Sequence, residues 1–203
     1  MTTTPAPSLA ERKRRLVADE LTRAALGLFA EHGFDAVTVD EIAASTGMSK
    51  RTFFRYFASK EDVVVRFLAE MGDGMRAELA ARPAEERPST ALRNTVWAAI
   101  DACAGHADQT LRVVQLILGT PALHARFLER QAQWREELAA ELAARLGLDL
   151  AAGLYPRLAA GTALTAFDVV LQQWSTSDGT ADPAALTDQA FAAIAPALDA
   201  PAR

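Results

Sequence analysis

Seven consecutive residues, Lys50-Arg-Thr-Phe-Phe-Arg-Tyr56, concentrate three cations, two hydroxyls and three aromatic rings in about two helical turns. Such residues can do one kind of chemistry together. Arginine and lysine can pair with guanine O6 and N7, hydroxyls can hold phosphates, and an apolar ring can lie against a thymine methyl. A short helix carrying them can enter the major groove of DNA, where base edges and phosphates are within reach at once. Phe53 and Phe57 stand four apart and predict the buried side. Lys50, Arg51, Phe54, Arg55 and Tyr56 are then left on or near the exposed side. Two exposed aromatics amid cations would be an awkward surface for a chain that bound nothing.

The flanking sequence supplies what would position that helix. Thr38-Val-Asp-Glu41 has the pattern of a capping box, with the Thr hydroxyl on the third helical amide and the Glu reaching back. This predicts a helix to about Thr46, a turn at Gly47, and a third helix from Lys50 to Phe57 capped by Ser49. Ile42, Ala43 and Thr46 would face inward against Leu28 and Phe29, with Ala43 small where two helices cross closely. Those two belong to a first helix, Leu9 to His32, whose apolar stripe is Val17, Leu21, Ala24, Ala25, Leu28 and Phe29 and whose end is Gly33. A fourth helix, capped by Ser59 and carrying Glu61 and Asp62 in its first turn, runs to about Arg82 with expected irregularity at Gly72 and Gly74.

Beyond a polar loop with two prolines, the pattern stays helical. A helix from about Ser89 carries Leu92, Val96, Ile100 and Cys103, and Asp108 would cap the next. Thr120-Pro121 opens a long helix with Phe127, Gln131, Trp134, Leu138 and Leu142 on one side and a Glu141–Arg145 pair on the other. Pro156 begins the following helix or kinks one started at Leu150, and Leu158, Thr162, Thr165, Val169 and Gln173 share a face of it. Asp182-Pro183 starts the last helix, with Leu186, Phe191, Ile194 and Leu198. The expected fold class is all-α: an N-terminal three-helix helix-turn-helix domain and a C-terminal helical domain, about nine helices in all.

Composition narrows the function classes. The 203 residues are 50% hydrophobic and 23% charged, which fits a globular chain. The lone Cys103 excludes an internal disulfide framework. No apolar stretch approaches a membrane span and no leader pattern opens the chain, so the expected location is cytoplasmic, with no membrane partner. Residues 1–60 hold nine Lys or Arg against seven Asp or Glu, a balance of +2, and the remainder carries −7 of the total −5. A cationic head on an acidic body would approach DNA head first. No nucleophile elbow, phosphate loop or His/carboxylate constellation points to an enzyme, and no cofactor is expected. Cys103 and His106 stand three apart, but two ligands do not make a metal site.

From about Arg12 to Val65 the chain resembles the tetracycline-repressor (TetR) family of bacterial transcription regulators. The resemblance is carried by Ala25-Leu-Gly-Leu-Phe-Ala-Glu-His-Gly-Phe34, Thr38-Val-Asp-Glu-Ile-Ala43, Gly47-Met-Ser49 and Thr52-Phe-Phe-Arg-Tyr-Phe-Ala-Ser-Lys-Glu61. One departure is Phe54, where the family more often has Tyr, which favours apolar contact with a thymine methyl over a hydroxyl contact. The resemblance implies a DNA-binding set of Thr38, Ser49, Lys50, Arg51, Thr52, Phe54, Arg55, Tyr56 and Lys60. Within it Lys50, Arg51 and Phe54 face bases, Thr38, Thr52, Tyr56 and Lys60 contact phosphates, and Arg55 stands between the two roles. The cluster Arg12-Lys-Arg-Arg15 is either a backbone or minor-groove contact or a solvated helix start.

The resemblance also implies domains at 1–60 for DNA binding and 61–203 for ligand binding and dimerisation. Trp97, Cys103, Phe127, Trp134, Phe167 and Trp174 are the candidate effector-lining residues. Gly161, Thr162 and Thr165, with Phe191 and Ile194, are the candidate subunit contact. The expected partners are a double-stranded palindromic operator, a second copy of the chain, and a small hydrophobic or acyl-CoA-like effector. The expected function is a ligand-responsive regulator, a repressor released by its effector. The alternative is a helical adaptor whose helix-turn-helix makes protein contacts only.

Overall fold

A computed structural model of the chain describes residues 8–101, 107–150, 153–177 and 180–200. Among them are nine helices: α1 Leu9–His32, α2 Val39–Ser45, α3 Lys50–Phe54, α4 Lys60–Ala81, α5 Pro88–Asp101, α6 Ala107–Gly119, α7 Pro121–Leu146, α8 Tyr155–Thr176 and α9 Pro183–Leu198. No strand occurs among the described residues. The chain forms two compact units, Met1–Phe67 and Leu68–Arg203, and the division falls within α4, beyond Lys60.

In the first unit, local chemistry sets the helix ends. Ser8 accepts from the Glu11 amide while the Glu11 carboxylate accepts from the Ser8 amide, a capping box that starts α1. Gly33 ends α1 at φ 85°, a conformation that a side chain would strain. The buried side of α1 is Ala18, Leu21, Thr22, Ala25, Leu26 and Phe29. That stripe is rotated slightly from the expected one, since Val17, Ala24 and Leu28 are only half-buried. Ile42 and Ala43 of α2 and Phe53 of α3 complete the core, with Phe34 edge-on to Phe29 at 5.0 Å. Arg66 of α4 reaches Asp19 of α1 at 2.6 Å, a tie between helices 47 residues apart in sequence.

In the second unit, α7 packs on α8, α8 on α9, and α5 on α9, with α6 against α7 and α8. Phe127, Trp134 and Phe167 are buried to 2%, 0% and 1% exposure and form the centre of the core. The α4–α5 loop is pinned by Arg145, which donates to the carbonyls of Arg82 at 2.7 Å, Pro83, and Glu86 at 3.1 Å. Arg145 therefore serves this loop, more than 50 residues away, rather than the expected Glu141. The start of α5 is fixed by Asp199 after α9, which accepts from the Ser89 amide and hydroxyl at 2.9 and 2.8 Å.

Two further expectations are corrected, at Gly72 with Gly74 and at Asp108, while Pro156 follows the first of its two expected arrangements. Helix α4 is regular through Gly72 and Gly74. Gly72 is buried because the Trp134 indole lies where a Cβ would project. Asp108 lies inside the first turn of α6 rather than before it. Helix α8 begins at Tyr155 with Pro156 in its first turn, where a missing N–H costs nothing. No helix among the described residues is long and apolar enough to cross a membrane, and none of their His, Cys, Asp and Glu side chains gather into a metal-holding group.

Candidate nucleic-acid interface

Helix α2 is held at its start by the capping box foreseen in the sequence. The Glu41 amide donates to Thr38 Oγ1 at 3.3 Å, and the Glu41 carboxylate accepts from the Thr38 amide at 2.7 Å and hydroxyl at 2.8 Å. These bonds, the backbone one first, hold the Glu41 carboxyl below its usual range, so the cap is ionised and intact near neutral pH. The turn to α3 closes through Gly47 and Met48, whose amides donate to Ala44 and Ala43 carbonyls at 3.0 and 2.8 Å. Gly47 has φ 66°, which a Cβ would oppose. Ala43 is 2% exposed at the start of that turn, where a larger side chain has no room.

Ser49 then caps α3, accepting from the Thr52 amide at 3.1 Å, with its hydroxyl 3.0 Å from that of Thr52. The helix is shorter than expected. It ends at Phe54, and Arg55 and Tyr56 donate back to Thr52 and Phe53 carbonyls in tight turns. The reason is the next cap: Ala58 donates to Asp62 and Ser59 accepts from the Asp62 amide, which starts α4 only a few residues on. Phe53 and Phe57 are the inward side, at 0% and 4% exposure with ring centroids 5.4 Å apart.

The outward side carries most of the expected set. Thr38, Ser49, Lys50, Arg51, Phe54 and Arg55 are exposed, and Thr52, Tyr56 and Lys60 are half-buried. Phe54 is 49% exposed and rests edge-on against Phe53 at 5.6 Å, a large apolar ring held in place on a polar surface. Lys50 pairs with Asp40 of α2 at 2.7 Å, and both side chains are over half exposed. Such an exposed pair is worth about 0–1 kcal/mol, so Lys50 can exchange Asp40 for another acceptor at little cost. Arg55 lies 5.1 Å from the centre of the Tyr56 ring. Lys60 departs from the others: its ammonium points into the α1–α2 loop and donates to backbone carbonyls there. Nothing in its sequence surroundings signals that contact.

Within the second unit, three of the candidate effector-lining residues come together. Phe127, Trp134 and Phe167 have ring centroids 5.9, 6.4 and 6.4 Å apart. Trp174 is buried farther along α8, and Trp97 is half-buried with the Arg93 guanidinium 5.9 Å from its ring. No ring contact joins either to the trio among the described residues. Cys103, and with it His106, lies outside the described residues. Around the trio, Trp134 Nε1, Gln131 Nε2 and Asp168 Oδ1 are buried without a hydrogen-bond partner. Burial pushes the Asp168 carboxyl up, with a smaller opposing effect from His124.

Comparison with known proteins places this geometry. Residues 21–67 match the model of the bacterial regulatory proteins of the tetR family, and residues 86–199 match that of the MftR C-terminal domain. The HTH-type transcriptional regulator TcmR of Streptomyces glaucescens is 34% identical over 174 residues, covering 83% of this chain and 77% of that protein. A protein of Mycobacterium tuberculosis named for mycofactocin biosynthesis, the transcriptional regulator MftR, is 32% identical over 185 residues, covering 85% and 89%. Among solved structures, FadR of Bacillus subtilis in complex with stearoyl-CoA shares the fold with a TM-score of 0.66 at 22% identity, covering 87% of this chain and 97% of that one.

Proposed function

Because the chain belongs to the TetR family of bacterial transcriptional regulators, we propose that it is an effector-released repressor that binds a palindromic operator as a homodimer. The observation that carries the DNA-binding part is the outward face of α3, where Arg51 and Phe54 stand exposed on a helix braced by α2 and backed by buried Phe53. In this reading Lys50, Arg51 and Phe54 meet bases. Thr38, Ser49, Thr52 and Tyr56 lie along phosphates, and Arg55 reaches either. Residues 1–60 form the DNA-binding domain and 61–203 the effector and dimer domain.

Dimerisation is supported by the bare side of α8. Leu154, Leu158 and Val169 are 78%, 61% and 51% exposed at helical spacing. The hydroxyls of Thr162 and Thr165 between them donate to Leu158 and Gly161 carbonyls of their own helix, so they need no outside partner. Phe191, expected at this contact, is buried at 4% and belongs to the core of the unit. Two recognition helices in such a dimer would sit about 34–36 Å apart, one turn of B-DNA.

The effector is a small hydrophobic or acyl-CoA-like molecule received near Phe127, Trp134 and Phe167, a class supported by the stearoyl-CoA held by a protein of the same fold. It would act on the head through α4, a continuous helix whose residues belong to both units. It must bind the DNA-free form more tightly, since equal affinity for both forms shifts nothing. Fluorescence anisotropy with duplex from the protein's own promoter region, against scrambled duplex and across a salt series, tests the reading. Preferential binding with a steep salt slope is expected. Equal binding to both duplexes would instead favour the adaptor.

A further inference from the structure

Lys60 is the first residue of α4, and its ammonium has three N–H donors and no acceptor. Three carbonyl oxygens converge on it: Phe34 at 2.6 Å, Val37 at 3.2 Å and Asp35 at 3.5 Å. The same nitrogen lies 4.4 Å from the centre of the Phe34 ring, close enough for a cation–π attraction. All of these acceptors belong to the six-residue connection between α1 and α2, whose apolar side is already anchored by Phe34 and Val37 at 5% and 3% exposure. Without the ammonium, three carbonyl dipoles would face one another with their negative ends together. With it, the ammonium is turned into the loop, bonded to the Phe34 and Val37 carbonyls with the Asp35 carbonyl at the limit of hydrogen-bond distance, and away from a phosphate.

We propose that Lys60 is a positioning residue: it locks the α1–α2 loop from its polar side and so fixes Thr38 and α2, rather than contacting the DNA backbone itself. The clamp ends one peptide before Thr38, whose hydroxyl and amide start α2 through Glu41. Through α2 the register reaches α3, because the Gly47 turn hangs on Ala43 and Ala44 carbonyls and Lys50 pairs with Asp40. Letting go of the carbonyls would free the point from which the recognition helix is built up. This inference rests on the DNA-binding reading for its consequence, but the lock itself belongs to the free protein.

The test is a four-member series, Lys60, Lys60→Arg, Lys60→Gln and Lys60→Met, read two ways. Hydrogen exchange on the free proteins should show amides of residues 34–42 exchanging at least about tenfold faster in Lys60→Met. Lys60→Gln should fall between, because one amide group can still serve the Phe34 carbonyl. Anisotropy with the promoter duplex should give the same order, with Lys60→Arg failing to recover wild-type affinity. A guanidinium spreads its N–H groups in one plane over three nitrogens, so it does not match three oxygens gathered around a single nitrogen. The salt slope should be unchanged throughout. A phosphate contact predicts the opposite: affinity follows charge, with Arg equal to Lys and Gln equal to Met, and the neutral variants lose about 1.8 from the slope, roughly 0.9 for each protomer. That pattern, or unchanged exchange in 34–42, overturns the proposal. If wild-type protein does not distinguish promoter from scrambled duplex, the regulator reading fails, and the exchange order alone then decides the clamp.

Discussion

The Arg51 side chain differs from the two nearby cations in having no ion pair or hydrogen bond among the described residues, whereas Lys50 holds Asp40 and Arg55, just past α3, lies on Tyr56. A free, exposed guanidinium near the start of a recognition helix has nothing to give up on meeting a guanine. Arg51→Ala is expected to lose about 1–3 kcal/mol of discrimination at one or two operator positions while binding scrambled duplex almost as before. Competition anisotropy with single-position operator variants measures this, and an equal loss on both duplexes would remove Arg51 from the base-reading set. Which side of α3 faces out was legible from the spacing of Phe53 and Phe57 alone, because burial of a short helix follows its own periodicity. The direction of Lys60 was not. Its acceptors lie 23 to 26 residues earlier in the chain, and only the folded loop brings their oxygens to one point. Arg145 is a second case, a helix-surface arginine by pattern that turns to serve carbonyls about 60 residues away.

Helix ends were readable wherever a cap is made by residues three apart, as at Thr38, Ser49 and Ser59. Helix α4 shows what such local reading misses. Two glycines suggested irregularity, yet Gly72 is there because the indole of Trp134, 62 positions on, occupies the space of a Cβ. Trp134 is fully buried between Phe127 and Phe167 and cannot easily yield. Gly72→Ala should therefore cost about 1–3 kcal/mol through overpacking, although alanine is the better helix former. Gly74 has open space at the same position, so Gly74→Ala should gain up to about 1 kcal/mol. Opposite shifts in melting temperature are the expected result, and a harmless Gly72→Ala would show that α4 does not need its close seat on Trp134. The α4–α5 loop makes a pH prediction. Glu86 accepts from Arg82 and Asn94, and its carboxyl is held below the ordinary 4.5, chiefly by the Arg82 hydrogen bonds. A folded-state value below the unfolded one means stability present above pH 4.5 and lost as pH falls through the lower value. Glu86→Gln should lose on the order of 1 kcal/mol at neutral pH. Its melting temperature should then fall less than wild type's on acidification through that window, as scanning calorimetry at several pH values would reveal.

The all-helical class followed from periodicity and caps, and the uneven charge, +2 over residues 1–60 against −7 beyond, already pointed to a head that seeks polyanions and a body that does not. What periodicity leaves open is which faces meet within one chain and which wait for another copy. Leu158, Thr162, Thr165 and Val169 share a side of α8 that pattern alone cannot tell from a core-facing one. In the folded unit the core takes the other side, through Ala159, Ala163, Phe167, Val170 and Trp174, and leaves this one uncovered. A side bearing Leu154, Leu158 and Val169 exposed to solvent is a cost unless a second copy covers it. Leu158→Glu and Val169→Glu each place a charge on that side without touching the head or the core. On the proposed dimer, wild type is expected to sediment as a dimer and both variants as folded monomers. Their affinity for a two-half-site operator should fall about 100-fold or more, because linked half-sites gain roughly that factor from simultaneous engagement. Binding to a single half-site should stay near the wild-type value. Dimers that persist in both variants would move the subunit contact off α8, whereas monomers that still bind the full operator tightly would mean that one head suffices.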